Sequence, residues 1–308
     1  MASKVLITGG AGFIGSQIAE ICLRQGLEVR IFDLMKSPKA GCESLTGSIL
    51  DPYEISSAAR GCDYIVHAAA ALGVNRTETR RLECLYINIQ GTVNVLDAAV
   101  KEKAKKILFI SSSEVYGDQS LDFYDEETPP MPKSNYAITK LVGEEYLRAY
   151  KGSYGLDYTV VRMFNVYGER QNDQFVVPIF ADAILKGQSP LIYGDGEQIR
   201  SFCHVADAAQ GAVVALLSAQ SNSQVINLGN DTEPVSIKEL AERMILKAGN
   251  SLRPKFVPYE SSDREAKREI RRRVPAITKA KKVLSYQPRV TLNEGIQQVL
   301  DYRKGAKV

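Results

Sequence analysis

Apolar runs and helix-period segments alternate along the first two-thirds of the chain. Lys4-Val5-Leu6-Ile7 predicts a buried strand, and Phe13 to Gln25 a helix with Ile14, Ile18, Ile21 and Cys22 on one face. Val29 to Phe32 and Tyr64 to His67 predict two further strands, Leu85 to Glu102 a long helix, and Ile107 to Ile110 the next strand. Tyr136 to Tyr150 again has helical spacing, and Tyr158 to Phe164 is rich in β-formers. Strands that are apolar almost throughout need cover on both faces, so the pattern predicts an α/β fold with a doubly wound parallel sheet.

Beyond Gly168 the alternation loosens. Phe175 to Leu185 predicts a helix, Pro190 to Tyr193 a short strand, Gly194-Asp195-Gly196 a turn, Asp207 to Leu217 a helix and Val225 to Leu228 a strand. Ser236 stands three residues before Glu239 at the head of an apolar-periodic run, a capping-box start for a helix through Ile245. A basic stretch and a helix near Leu292 to Tyr302 close the chain. The expected organisation is therefore a first domain over 1–168 and a smaller α/β lobe over 169–308, with some of the lobe's segments returning to the first domain.

Composition narrows the classes. The 308 residues can form one large domain or two smaller ones, and 44% hydrophobic with 24% charged residues is ordinary for a soluble protein. The apolar runs fall far short of the roughly 20 residues of a membrane span, and no basic–apolar–small signal segment opens the chain. A cytoplasmic location with no membrane partner is expected. The five cysteines, Cys22, Cys42, Cys62, Cys84 and Cys203, are odd in number and form no C-x-x-C pair, and only His67 and His204 could add imidazole ligands; no metal site is expected. A net charge of +3 does not suggest a nucleic-acid protein, although nine Lys/Arg face two acids between Arg264 and Lys282. That run suits either a solvated face or the wall of a pocket for an anion.

Two constellations carry chemistry. Thr8-Gly9-Gly10-Ala11-Gly12-Phe13-Ile14-Gly15 follows a predicted strand and opens a helix. Gly9 permits the tight turn, Gly12 the close approach of a pyrophosphate and Gly15 close helix packing, with the helix N-terminus facing the phosphates: the Rossmann dinucleotide signature. Asp33, at the end of the second strand, can accept hydrogen bonds from ribose hydroxyls and would repel a 2′-phosphate, which favours NAD over NADP, with Lys36 and Lys39 nearby as a counterweight. Second, Tyr136 and Lys140 stand i, i+4 on a predicted helix, so an ammonium can favour phenolate over phenol and make Tyr136 a general base. Ser111-Ser112-Ser113 ends a predicted strand, where parallel-sheet sites collect.

The ordered motifs resemble the extended short-chain dehydrogenase/reductase family, especially its nucleotide-sugar epimerases, dehydratases and decarboxylases. They comprise the glycine loop, His67-Ala68-Ala69, Asn88-Ile89-Gln90-Gly91-Thr92, Ser111 to Gly117, Tyr136-Ala137-Ile138-Thr139-Lys140, Arg162 to Gly168 and Tyr193 to Arg200. The resemblance implies that Tyr136 removes the proton of the sugar 4-hydroxyl while NAD takes hydride from C4. It implies that Lys140 binds the nicotinamide ribose and lowers the Tyr136 pKa, and that Ser112 hydrogen-bonds the 4-oxygen. Phe13, Ile14, Ile49, Ala68 and Ala69 complete the expected cofactor set. Asn165, Arg200, Ser113, Val177 and Tyr193 complete the substrate set, with Asn165 near the pyrophosphate, Arg200 on a phosphate and Tyr193 against the base. Before the motif Arg271-Arg272-Arg273-Val274-Pro275-Ala276, either Arg268 or Arg271 could grip the second phosphate.

The fate of the 4-keto sugar is the open choice. Epimerisation needs no further acid; 4,6-dehydration needs groups for the C5 proton and the C6 hydroxyl; decarboxylation of a uronate uses the ketone as electron sink. Ser113-Glu114 matches the Ser–Glu pair of some dehydratases, so Glu114 is a candidate catalytic residue whose bland role is a local hydrogen bond at the strand end. The expectation is a 4-epimerase, with dehydratase and UDP-glucuronate decarboxylase as alternatives and a non-catalytic NAD-binding sensor as the reading from another class. Arg76, Arg80 or Arg81 could meet a sugar substituent or simply be solvated. Ser48 and Ala276 stand where the family has Asp, which puts an adenine contact and a helix cap in doubt. The family also implies a homodimer through helices 85–102 and 136–150.

Overall fold

The computed structural model describes residues 2–73, 79–258 and 270–305. The first part runs β1 (Lys4–Thr8), α1 (Phe13–Arg24), β2 (Glu28–Asp33), β3 (Cys42–Thr46), α2 (Pro52–Ala59), β4 (Tyr64–His67), α3 (Arg81–Lys101), β5 (Lys106–Ser112), α4 (Asn135–Tyr154) and β6 (Asp157–Met163). It continues through β7 (Val166–Tyr167), α5 (Val176–Leu185), β8 (Leu191–Tyr193), β9 (Ile199–Ser201), β10 (Cys203–His204), α6 (Val205–Leu217) and β11 (Gln224–Leu228). The chain ends with β12 (Pro234–Ser236), α7 (Ile237–Lys247), β13 (Lys255–Val257), β14 (Arg272–Arg273), α8 (Thr278–Leu284) and α9 (Leu292–Gly305).

Seven parallel strands form the central sheet in the order β3-β2-β1-β4-β5-β6-β11. The doubly wound Rossmann sheet expected from the apolar strands is therefore present. Its order reverses between β1 and β4, and a crevice at the carboxyl ends of the strands opens at such a switch point. One face packs Val5, Ile7 and Leu108 against Ile18, Cys22, Ala209 and Val213 of α1 and α6. The other packs Leu6, Ile65, Ile107 and Phe109 against α2, α3 and α4 through Ile55, Val95, Ala99 and Leu147. These strands alternate between two helical layers, which is why their sequences lack a polar face.

Local chemistry sets the helix ends that matter. Asp51 accepts from the backbone N–H groups of Tyr53 and Glu54, with Pro52 in the first turn of α2. Ser134 accepts from Ala137 N–H to start α4, and Gly155 in the left-handed conformation ends it. Ser236 accepts from Glu239 N–H at the head of α7. By contrast α8 begins at Ile277 without a side-chain cap, as Ala276 in place of Asp leads one to expect. Helix α3 starts earlier than the periodicity predicts, with no side-chain cap at Arg80, and α4 ends later because the left-handed Gly155 rather than apolar spacing fixes its limit.

The remaining elements build a second layer beside the sheet. α5, α7 and α9 enclose Val177, Phe180, Leu240, Met244, Ile296 and Leu300. β9 lies between β12 and β14 and places Arg200 opposite Arg273. β11 and α6, although late in the sequence, belong to the central sheet and its cover.

Candidate active site

A cleft of about 790 Å³ opens where the sheet order reverses and runs from the glycine loop to the β8–β9 region. Gly9 has φ +70°, and a Cβ there would lie 2.6 Å from Ala69 N; at Gly15 a Cβ would overlap the Gly9 carbonyl oxygen. Glycine is therefore required for the loop to pass between β4 and α1. No side chain caps α1 at Gly12, so the positive end of the helix faces the cleft. Asp33 holds the same loop, accepting from Ala11 N–H at 3.0 Å and Met35 N–H at 3.3 Å. Lys39 is paired with Glu20, which removes it as a counterweight to the Asp33 carboxylate. Ser48 and Ile49 line the wall beside Asp33, and Ala68 and Ala69 lie opposite. A side-chain-free turn, a helix N-terminus and a terminal carboxylate fit an unphosphorylated adenosine ribose and its pyrophosphate.

His67 lies behind this wall, between the Thr8 hydroxyl at 2.8 Å and the Thr92 hydroxyl at 3.1 Å. Burial, with the nearby Lys140 ammonium, pushes its pKa down to about 3, so the ring is neutral. It is a structural link between β1, β4 and α3, not a proton-transfer group.

The ends of β5 and α4 bring Ser112, Glu114, Tyr136 and Lys140 to one wall of the cleft. Lys140 Nζ donates to the Ile110 carbonyl at 2.7 Å and lies 5.7 Å from the centre of the Tyr136 ring. Burial lowers its pKa to about 8, against the opposing charges of Cys84 and Glu144. The Tyr136 phenol is pushed well above its ordinary range by burial and then by the Glu114 carboxylate and Cys84; the Ser112 hydroxyl and the Arg273 guanidinium act in the other direction. Ser112 and Arg273 thus act here in the direction expected of Lys140, whose ammonium rests on the Ile110 carbonyl.

Arg273 is the residue that sequence reasoning passed over. Its Nε and Nη2 donate to Asn165 Oδ1 at 3.1 and 2.7 Å, and its Nη1 lies 3.7 Å from Glu114 Oε1. Asn165, at φ +40°, also donates to the carbonyls of Ser201 and Arg273. Glu114 Oε2 accepts from the Ser134 hydroxyl at 3.1 Å. The only sequence signal was membership of the triplet Arg271-Arg272-Arg273, and three identical neighbours do not reveal which one turns inward.

Ser113, Asn165, Val177, Tyr193 and Arg200 all line the cleft, together with Lys133, Gln171 and Gln174, which were not anticipated. Arg200 Nη1 donates to the Ile199 carbonyl. Arg271, one of the two candidates for the second phosphate, is exposed outside the cleft walls and pairs with Asp195 of the adjacent turn at 3.0 Å. Arg268 and Arg76 lie outside the described residues. Arg80 pairs with Glu83 on the surface. His204 contacts Glu169 at 3.2 Å, and Glu126, raised by burial, accepts from Asn227 N–H away from the cleft.

Residues 5–229 match the model of the NAD dependent epimerase/dehydratase family. The chain belongs to this family. A relative from Bacillus cytotoxicus described as a UDP-N-acetyl-alpha-D-glucosaminuronate decarboxylase is 36% identical over 98% of this chain and 98% of its own. A putative UDP-glucose 4-epimerase of Methanocaldococcus jannaschii is 34% identical over 97% and 98%. Among solved structures, the UDP-glucose 4-epimerase of Thermus thermophilus in complex with NAD superposes with a TM-score of 0.89 at 31% identity, covering 98% of this chain and 99% of that one. This family member is an enzyme, and its relatives span epimerisation, dehydration and decarboxylation of nucleotide-sugars.

Proposed function

We propose that the protein is an NAD-dependent nucleotide-sugar 4-epimerase. The observation that carries this reading is that Ser112 and Tyr136 share one cleft with the glycine loop and Asp33. Gly9, Gly12, Phe13, Ile14, Gly15, Asp33, Ile49, Ala68 and Ala69 would hold the dinucleotide, and Lys140 its nicotinamide ribose. Bound NAD supplies a reversible hydride acceptor for C4. Tyr136, as phenolate, takes the C4 hydroxyl proton, directly or through Ser112, and returns it to the same oxygen after the ketopyranose has turned. Arg273 helps at this point because a guanidinium near the phenol stabilises its ionised form. Val177 and Tyr193 form the base wall, and Arg200 is the cation for the pyrophosphate. Glu114 supports simple inversion: one of its oxygens is taken by Ser134 and the other faces Arg273, leaving it as a brace, and inversion needs no further acid.

A second reading rests on the same pair. Arg273 beside Glu114 is a cation placed to receive a sugar carboxylate, so a 4-keto uronate could lose carbon dioxide in this cleft, the C4 ketone taking up the electron pair and Glu114 passing a proton to C5. The two readings separate when purified enzyme is incubated with UDP-, dTDP- and GDP-sugars and UDP-glucuronate. An epimer without mass change supports the first, and loss of carbon dioxide replaces it with the second. Glu114→Gln should leave epimerisation nearly unchanged and arrest decarboxylation. Tyr136→Phe should abolish either while sparing NAD binding; retained turnover would remove Tyr136 as the base.

The outer faces of α3 and α4 expose Leu82, Tyr86, Ile138 and Tyr146. Exposed apolar side chains on these two neighbouring helices suit an isologous two-fold dimer, and a monomer mass by sedimentation at micromolar concentration would exclude it. Five free cysteines suit a reducing, cytoplasmic environment, and no described helix is long and apolar enough to cross a membrane.

A further inference from the structure

Directly behind the catalytic wall lies a charged pair that the proposed chemistry leaves unused. Glu144 is fully buried and Arg162 nearly so. Arg162 donates from Nε to Glu144 Oε1 at 3.0 Å and from Nη2 to Oε2 at 2.6 Å, and its guanidinium lies 4.7 Å from the centre of the Tyr116 ring. Ser111 Oγ donates to the same Glu144 Oε1 at 2.6 Å. Removing two charges from water is expensive, and hydrophobic replacements of a buried pair are often as stable. Stability alone is therefore a poor explanation for the pair.

Its placement supplies a better one. Tyr136, Lys140 and Glu144 stand at successive turns of α4, and each of the last two grips β5: Lys140 on the Ile110 carbonyl and Glu144 on the Ser111 hydroxyl. Ser112 is the next residue of that strand. Arg162 fixes the grip from the other side, being the β6 register partner of Ser111. Two successive β5 residues are thus pinned to the helix that carries Tyr136, and the relative position of Tyr136 and Ser112 is set by those pins.

We propose that Glu144, clamped by Arg162, is a positioning residue that locks the register between α4 and the end of β5, so that the Ser112 hydroxyl and the Tyr136 phenol act on one substrate oxygen. The reaction so served is the C4 oxidation proposed above, but the register itself is a property of the folded chain and can be observed without turnover. Misplacement of reacting groups by about 1 Å lowers rate by roughly 10²-fold, which sets the size of the expected effect.

The sharpest test is Ser111→Ala, which removes the link and leaves the ion pair. The expected result is a fall in kcat of about 10- to 100-fold, with the KM for the nucleotide-sugar and the affinity for NAD within about twofold of wild type, and recovery in Ser111→Thr, which restores a hydroxyl. Glu144→Gln should lower kcat similarly, and the double variant should be no worse than the more impaired single one, since both changes cut the same link. A crystal structure of Ser111→Ala should show Ser112 Oγ displaced from the Tyr136 hydroxyl. Unchanged kcat in Ser111→Ala, or an unmoved Ser112 in its crystal structure, would overturn the positioning role. If the wild type turns over no nucleotide-sugar, the functional reading fails, and the crystallographic comparison still decides the positioning role.

Discussion

Gly15→Ala tests how completely the cofactor cradle depends on a missing side chain. A methyl carbon at this position overlaps the Gly9 carbonyl oxygen and lies 2.9 Å from both Gly10 Cα and the Gly9 carbonyl carbon. All three are backbone atoms, so no rotamer change relieves them. Carbon atoms settle at about 3.5–4.0 Å, so the loop must open by more than about half an ångström. Overpacking of this kind costs about 1–3 kcal/mol, and at about 2–4 °C per kcal/mol for a large domain the melting temperature should fall by several degrees. The same opening moves the Gly9–Gly12 backbone away from the start of α1. Loss of one hydrogen bond to a charged phosphate is worth about 1.5–3 kcal/mol, so NAD should bind at least about tenfold more weakly. Calorimetric titration with NAD and thermal melting measure both effects. Wild-type affinity together with an unchanged melting temperature would refute the reasoning.

Three further outcomes rest on particular groups. Gly152→Ala, in the exposed last turns of α4 where a Cβ meets nothing within 4 Å, should stabilise by about 0.5–1 kcal/mol in urea unfolding; destabilisation would contradict it. Burial lowers the Lys140 pKa to about 8, so kcat/KM should decline above that pH, and a profile flat to about pH 10 would exclude an essential ammonium with so lowered a pKa. His67 acts on stability with a definite sign. Its unfolded imidazole binds a proton below the ordinary 6.5, whereas the folded ring refuses it until about 3, so stability should fall as pH drops through that window by up to about 1.4 kcal/mol per unit. Urea midpoints at several pH values should show this slope reduced in His67→Gln; an equal slope in both would assign the acid sensitivity elsewhere.

The legible and illegible parts of the sequence divide along physical lines. Lys4 to Gly15 announces strand, turn and helix because each uses a local signal: an apolar run, glycines and a renewed helical period. Asp33 was readable for the same reason, standing at the end of the next apolar run. Tyr136, Lys140 and Ser112 emerged from spacing and motif, yet spacing could not show that Lys140 would rest on the Ile110 carbonyl. Arg273 and Arg271 look alike in sequence and differ only in which carboxylates their neighbours present, Glu114 for one and Asp195 for the other. Two-residue strands such as β14 carry no periodicity, so the side chains they turn toward a cleft are fixed by tertiary pairing alone. The Glu144–Arg162 pair was hidden because Glu144, a charged residue on a helix, ordinarily reads as part of a solvated face, and Arg162 on β6 shows no partner in sequence.

The entry of Arg273 from a late strand has a consequence for biogenesis. Synthesis proceeds from the N-terminus, and domains tend to fold as they emerge. The seventh strand of the central sheet ends at Leu228, well before the ribosome reaches the arginine that braces Asn165 and faces Glu114. A nascent polypeptide can therefore acquire its dinucleotide cradle and most of its sugar-facing wall while Arg273 is still untranslated, and the brace on Asn165 joins only after the central sheet has its seventh strand.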